Sequence, residues 1–168
     1  SAQRALLGAA LASSSSDAAS VSRLEAHGTG TALGDPIEMG SLVKAMVKPR
    51  STEAGHLAVG GVKASIGHAE PAAGMTGLLR LTLELRGSEV EPNAQLRALN
   101  PHVREKWCEA AGMVLPVQVA GNAPSEGQRP SGGVSSFGYS GTIAHAVLRV
   151  AVGAAASVAR VRLVFRRR

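Results

Sequence analysis

Twice in this chain a short β-like run ends in a glycine-containing turn that bears a histidine, and each time a helical period follows. Val21 to Ala26 leads into His27-Gly-Thr-Gly-Thr31, and Leu57 to Lys63 leads into Ser65-Ile-Gly-His68. Glycine in such a turn ends a strand and frees the backbone to reverse. After the first turn, Asp35, Pro36 and Glu38 take the N-cap, first and third positions of a capping box, which predicts a helix from Pro36 to Lys48, stopped before Pro49. After the second, Ala72, Ala73, Met75, Leu78, Leu79, Thr82 and Leu85 keep a helical period up to Gly87, a natural C-cap. Gly74 and Gly77 inside that period cost roughly 1 kcal/mol each against alanine, which points to close backbone packing. With 168 residues, 45% hydrophobic and 18% charged, this pattern predicts one compact α/β or α+β domain.

The remaining segments are less regular. Ala5, Leu6, Ala9 and Ala10 predict a short helix ended by the Ser13–Ser16 run. Residues 88–112 and 121–133 read as loops, with a strand over Val114–Val119 weakened by Pro116. Gly133–Phe137 and Ile143–Val150 form two β-like runs joined by Gly138-Tyr-Ser-Gly141, a hairpin turn.

The net charge of +6 belongs to the end of the chain, because all 12 acidic residues precede Arg149 while Arg149, Arg160, Arg162, Arg166, Arg167 and Arg168 follow without one. Val158–Phe165 alternates apolar and basic residues, as an edge strand does, and Phe137, Phe165, Tyr139 and Trp107 are too few to stack nucleic-acid bases. No nucleic-acid partner is expected. Cys108 alone forms no internal disulfide, which predicts a reducing, cytoplasmic setting. The longest uncharged stretch, Pro130–Leu148, is broken by glycines, serines and a histidine and does not read as a membrane span. Ser1 opens without a signal pattern, and the chain is expected to begin within a longer one.

Two imidazoles delivered at strand ends suit proton transfer or donation to a developing oxyanion near neutral pH, and Lys63 and Glu70 bracket His68 closely enough to tune it. Paired loop histidines are more often structural or solvated than catalytic, so spacing alone does not choose the catalytic reading. His56, His102 and His145 meet no metal-ligand spacing, and no metal is expected.

The literal sequence decides between them. Glu25-Ala-His-Gly-Thr-Gly-Thr-Ala-Leu-Gly-Asp-Pro-Ile-Glu38 resembles a signature of β-ketoacyl synthases, the ketosynthase domains of polyketide and fatty-acid synthases. Val62-Lys-Ala-Ser-Ile-Gly-His-Ala-Glu-Pro-Ala-Ala-Gly74 resembles that family's lysine-to-histidine segment, and Gly133-Val-Ser-Ser-Phe-Gly-Tyr-Ser-Gly-Thr-Ile-Ala-His145 its glycine-rich closing hairpin. Pro92-Asn-Ala-Gln-Leu96 and Asn100-Pro-His102 fit as well. Ordered blocks over about residues 1–150 make chance a poor account of the likeness.

The resemblance implies a thiolase-like αβαβα architecture of which this chain is the C-terminal half only, with residues 151–168 a basic extension outside the family. It implies part of an acyltransferase that performs decarboxylative Claisen condensation of an acyl thioester with a malonyl-type unit on acyl carrier protein. His27 and His68 are then the histidines of a Cys-His-His site and Lys63 the lysine that supports the second. Thr29 and Thr31 match threonines that bond the phosphopantetheine arm, which the carrier protein brings; no cofactor is bound directly. Tyr139 falls where a phenylalanine gates the site and contributes a backbone N–H to the oxyanion hole. Glu70 joins the network of Lys63, while Asp35 and Glu38 are expected to cap the helix and stiffen the loop of His27.

Departures from the family pattern are Ala64-Ser65 for Ser-Asn and Ile143 for an asparagine whose amide is lost. Cys108, in Glu105-Lys-Trp-Cys-Glu109, lies among acids and lacks the nucleophile's context. The expected partners are therefore acyl carrier protein and an N-terminal ketosynthase half that holds the cysteine, in a parent that is homodimeric through that half. The fragment by itself is expected to be inactive and to expose apolar surface where its twin packs. The competing reading is a non-catalytic remnant or binding module for a carrier protein or partner half, its arginine tail meeting an acidic surface.

Overall fold

A computed structural model describes residues 1–151 apart from 52, 88, 109 and 122–128. The basic extension and its Val158–Phe165 alternation thus lie outside the described residues. In chain order the elements are α1 (Ala2–Ser13), β1 (Arg23–Glu25), α2 (Gly34–Leu42), β2 (Leu57–Gly60), α3 (Lys63–Ile66) and α4 (Ala73–Arg86). β3 (Glu89–Val90), α5 (Pro101–Cys108), β4 (Met113–Val114), β5 (Ala120–Gly121), β6 (Ser131–Phe137) and β7 (Ile143–Arg149) follow.

Five strands form one sheet in the order β4-β2-β1-β6-β7. β1 pairs in parallel with β2 and with β6, and β2 with β4, whereas β6 and β7 form the expected antiparallel hairpin around Gly138–Gly141. Because β1, β2 and β6 run the same way, their C-terminal ends meet at one sheet edge, the usual place for a ligand in an α/β fold. That edge receives His27, Lys63 and Phe137.

Helices cover both faces. Leu7 and Leu11 of α1, Met39 and Leu42 of α2 and Val103 of α5 bury against Leu24, Leu57 and Val59, the larger core. Wholly burying a leucine contributes about 2 kcal/mol, so this face carries most of the stabilisation. On the other face α4 places Ala73, Gly77, Leu81 and Leu85, spaced by four, onto β1 and β6. The close approach expected of its glycines is present: a Cβ on Gly74 meets Ser136 Oγ at 2.8 Å, and one on Gly77 meets Glu25 Cγ at 3.1 Å. The far side of α4 shows Met75, Leu79 and Leu83, 57%, 57% and 71% exposed, an apolar stripe of the kind that marks an unpartnered face. No described helix is long and apolar enough to cross a membrane.

Several local expectations are corrected. Leu33, not Asp35, is the N-cap of α2, and no side chain caps it, because Asp35 and Glu38 are spent on the preceding loop. The helix past Leu42 widens to a π-turn over Val43–Val47. β2 stops at Gly60, and Lys63 to Ile66 coil into α3, since Gly60 and Gly61 end the extended run. Residues 101–108 are helical: Asn100 Oδ1 accepts the His102 N–H at 3.0 Å and Pro101 opens the first turn, a cap signature hidden in a segment read as loop. Of the strand expected over Val114–Val119, only Val114 pairs, as Pro116 predicts.

His145 of β7 is mostly buried, with Nδ1 3.0 Å from Ser135 Oγ, and burial lowers its pKa from 6.5 to about 4. The native state holds this ring neutral, so its contribution is complete above pH 6.5 and is withdrawn as pH falls from there toward 4. The loss amounts to about 3 kcal/mol. Denaturant unfolding across this range is expected to show a shallower loss for His145→Gln than for the native sequence; equal slopes refute the assignment.

Candidate active site

The first turn is built around two carboxylates. Gly28 takes φ +47°, which turns the backbone so that the His27 and Gly28 N–H groups converge on Glu38, at 2.8 Å to Oε1 and 2.9 Å to Oε2. Asp35 Oδ1 accepts the Gly30 N–H at 3.1 Å. Burial raises the pKa of both acids, against the pull of those backbone donors. Thr31 Oγ1 accepts the Gly34 N–H at 3.1 Å and stands 3.5 Å from Thr29 Oγ1.

The second turn passes through Gly67 at φ +80° and sets the Glu70 N–H 2.9 Å from His68 Nδ1. The two imidazoles then lie edge to face, ring centroids 6.0 Å apart. His27 Nδ1 accepts the Phe137 N–H at 3.3 Å, and the Phe137 ring packs on His27 at 5.3 Å. An Nδ1 that accepts is unprotonated, so a neutral ring carries its proton on Nε2 and donates from there. Burial, then the Lys63 and His68 charges, lowers the pKa of His27 from 6.5 to about 4, which holds the ring neutral near pH 7.

Lys63 is half-buried. Desolvation lowers its pKa, opposed by the carboxylates of Glu25 and Glu38. These two, and not Glu70, are the acids facing Lys63: no ion pair joins Lys63 to Glu70 among the described residues, and Glu70 touches the site through its backbone N–H. A cleft of about 600 Å³ opens beside this cluster, lined by Gly28, Thr29, Asp35, Glu38, Lys63 and His68 among others.

The structure therefore brings together His27, His68, Lys63, Asp35, Glu38 and Thr29. Thr31 is exposed at the rim, and Tyr139 projects fully exposed from the hairpin without ring contact to either imidazole. Sequence reasoning singled out neither Phe137, whose N–H meets His27, nor Glu25, which faces Lys63. The available signal for Glu25 was an acid inside a β-like run, two residues before a histidine; for Phe137 it was an aromatic at a glycine turn.

Comparison with known proteins gives one answer. The family described as beta-ketoacyl synthase, C-terminal domain, matches residues 1–97. A phenolphthiocerol/phthiocerol polyketide synthase protein of Mycobacterium tuberculosis is 42% identical over 151 residues, 89% of this chain and 7% of that protein. Erythronolide synthase EryA2 of Saccharopolyspora erythraea is 41% identical over 152 residues, 89% of this chain and 4% of that protein. An oxazolomycin ketosynthase domain from Streptomyces albus JA3453 superposes with TM-score 0.78 at 37% identity, over 90% of this chain and 26% of that one. The ketosynthase from module 6 of the bacillaene synthase of Bacillus subtilis 168 gives TM-score 0.77 at 29% identity, over 88% and 26%. The α/β architecture here is thus the C-terminal half of a thiolase-like ketosynthase fold, and the chain spans a small part of each relative's length.

Proposed function

The chain belongs to the β-ketoacyl synthase family, as a C-terminal domain of the polyketide synthase type, and on that premise we propose that it supplies the two histidines of a decarboxylative condensation site. One observation carries this reading: both imidazoles accept a backbone N–H at Nδ1, which leaves two Nε2–H donors on rings 6.0 Å apart at one sheet edge. Such a pair suits the thioester oxygen of a malonyl unit. As the bond to the carboxylate breaks and CO2 leaves, its electron pair passes into an enolate whose oxygen takes both hydrogen bonds. Preorganised donors of this kind act where charge develops and need no reorganisation.

The enolate carbon then attacks an acyl thioester on the cysteine of an N-terminal half, forming the carbon–carbon bond and expelling the thiolate. Thr29 and Thr31, at the cleft and its rim, would bond the phosphopantetheine arm presented by acyl carrier protein. Lys63 acts as a positioning charge, and Tyr139 would gate once an N-terminal half covers the hairpin. The stripe of Met75, Leu79 and Leu83 is where that half would pack.

Mixing this chain with the complementary N-terminal half is the direct test. Neither part alone is expected to decarboxylate a malonyl thioester, and the pair is expected to form the condensation product. Turnover by this chain alone, or a stable reassembled pair that leaves malonyl thioester untouched, overturns the reading.

A further inference from the structure

Glu25 lies within the central strand β1, its side chain 3% exposed, two residues before His27. A carboxylate withdrawn from water costs several kcal/mol unless it is closely matched, so its partners show what holds it there. Oε1 accepts the Val62 N–H at 2.6 Å, and Oε2 faces Arg80 Nη1 at 3.4 Å. Val62 immediately precedes Lys63, while Arg80 stands on α4, the helix into which the His68 turn leads.

Arg80 is held in turn by Glu84 at 2.9 Å and by the Glu91 carbonyl at 3.0 Å. The backbone is cut back on two sides of the pair. A Cβ on Gly60 lies 3.2 Å from the Arg80 guanidinium, and one on Gly77 lies 3.1 Å from Glu25 Cγ. Through one ion pair and one backbone hydrogen bond, Glu25 therefore ties together β1, the β2–α3 turn and α4, the three elements that end in or lead from His27, Lys63 and His68.

We propose that the Glu25–Arg80 pair is a positioning device for the condensation site: it sets the strand end bearing His27 against the turn bearing Lys63 and His68. This inference rests on the function proposed for those histidines. The surrounding electrostatics agree with it. Glu25 is faced by Arg80 and Glu84 of α4 and by Lys63 of α3, and burial pushes its pKa up to about 7 against the Val62 N–H and the two cations. Lys63 is faced by Glu25 of β1 and Glu38 of α2. Removing one of these two acids leaves desolvation less opposed, so Lys63 gives up its proton at lower pH.

The test uses the complete ketosynthase domain, with malonyl thioester decarboxylation followed from about pH 6 to 10 beside thermal unfolding. Glu25→Gln keeps an oxygen for Val62 and loses the charge; kcat is expected to fall about tenfold or more, KM to hold within about twofold, and the alkaline limb to move to lower pH. Glu25→Asp keeps the charge with a shorter reach, and is expected to lose turnover with the alkaline limb in place. A folded Glu25→Gln enzyme with unchanged kcat and unchanged limb overturns the inference. If that variant does not fold, Glu25→Asp decides: undiminished kcat overturns it, because the shortened carboxylate cannot hold both Val62 and Arg80. Should His27→Ala and His68→Ala also leave kcat intact, the site reading has failed; with those two inactive, an unaffected Glu25→Gln removes the positioning role alone.

Discussion

In the complete ketosynthase domain, His27→Ala is expected to slow malonyl thioester decarboxylation by about two to three orders of magnitude, and His68→Ala by a similar factor. The size follows from the loss of one preorganised donor to the enolate oxygen, about 3–4 kcal/mol of transition-state stabilisation. Acyl loading, which needs no enolate, is expected to survive better than decarboxylation in both variants. The pH profile separates this account from a simple loss of packing. His27 is neutral because burial, Lys63 and His68 lower its pKa to about 4, so its protonation withdraws activity only as pH falls toward 4, not through 6.5. A cationic His27 would carry a proton on Nδ1 and lose the Phe137 N–H that holds the ring. Normal decarboxylation in both alanine variants defeats the assignment, and an acid limb near 6.5 that vanishes in His27→Ala defeats the tautomer argument.

Much of this is legible in the sequence. The first strand–turn–histidine unit, the α4 period with its Gly87 cap and the β6–β7 hairpin each announce themselves in residues a few positions apart, and each is present, while the second unit carries the short helix α3 between its strand and its histidine turn. What local sequence hides is long-range partnership. Asp35 and Glu38 have the spacing of a capping box, yet their acceptors go to Gly30, His27 and Gly28, because that glycine-rich loop has donors that no neighbouring strand satisfies. Lys63 lies seven positions from Glu70 in sequence, but parallel pairing of β1 with β2 brings it to Glu25 instead. Phe137 is hidden for the same reason: its meeting with His27 depends on β6 lying beside β1, a pairing across more than a hundred residues. Helix α5 is hidden for a different one. Asn100-Pro101 is at once a loop signal and a helix start, and only the buried Val103 and the packing on α2 settle which it is.

The same partnership makes Glu38 the acid whose loss should matter most. Its carboxylate is 6% exposed and receives two backbone donors, His27 N–H and Gly28 N–H, at 2.8 and 2.9 Å. Hydrogen bonds to a charged acceptor contribute about 1.5–3 kcal/mol each, whereas removing the acid also relieves the cost of burying it, the cause that raises its pKa. The net cost of Glu38→Ala to stability is therefore smaller than the two bonds alone suggest, on the order of 2–3 kcal/mol. Activity has no such offset. His27 is fixed at its backbone by Glu38 and at Nδ1 by Phe137, and a shift of about 1 Å at the imidazole costs about a hundredfold in rate. Glu38→Ala is thus expected to lower decarboxylation about a hundredfold while the melting point falls by only a few degrees. Glu38→Gln offers one carbonyl oxygen and turns an amide N–H toward the other donor, and should fall between the alanine variant and the native enzyme. Melting curves and single-turnover decarboxylation measured on the same samples separate the two effects: a rate that falls only as far as the folded fraction does would reduce Glu38 to a stabilising residue, and a rate that collapses in fully folded protein would make it the residue that aims His27.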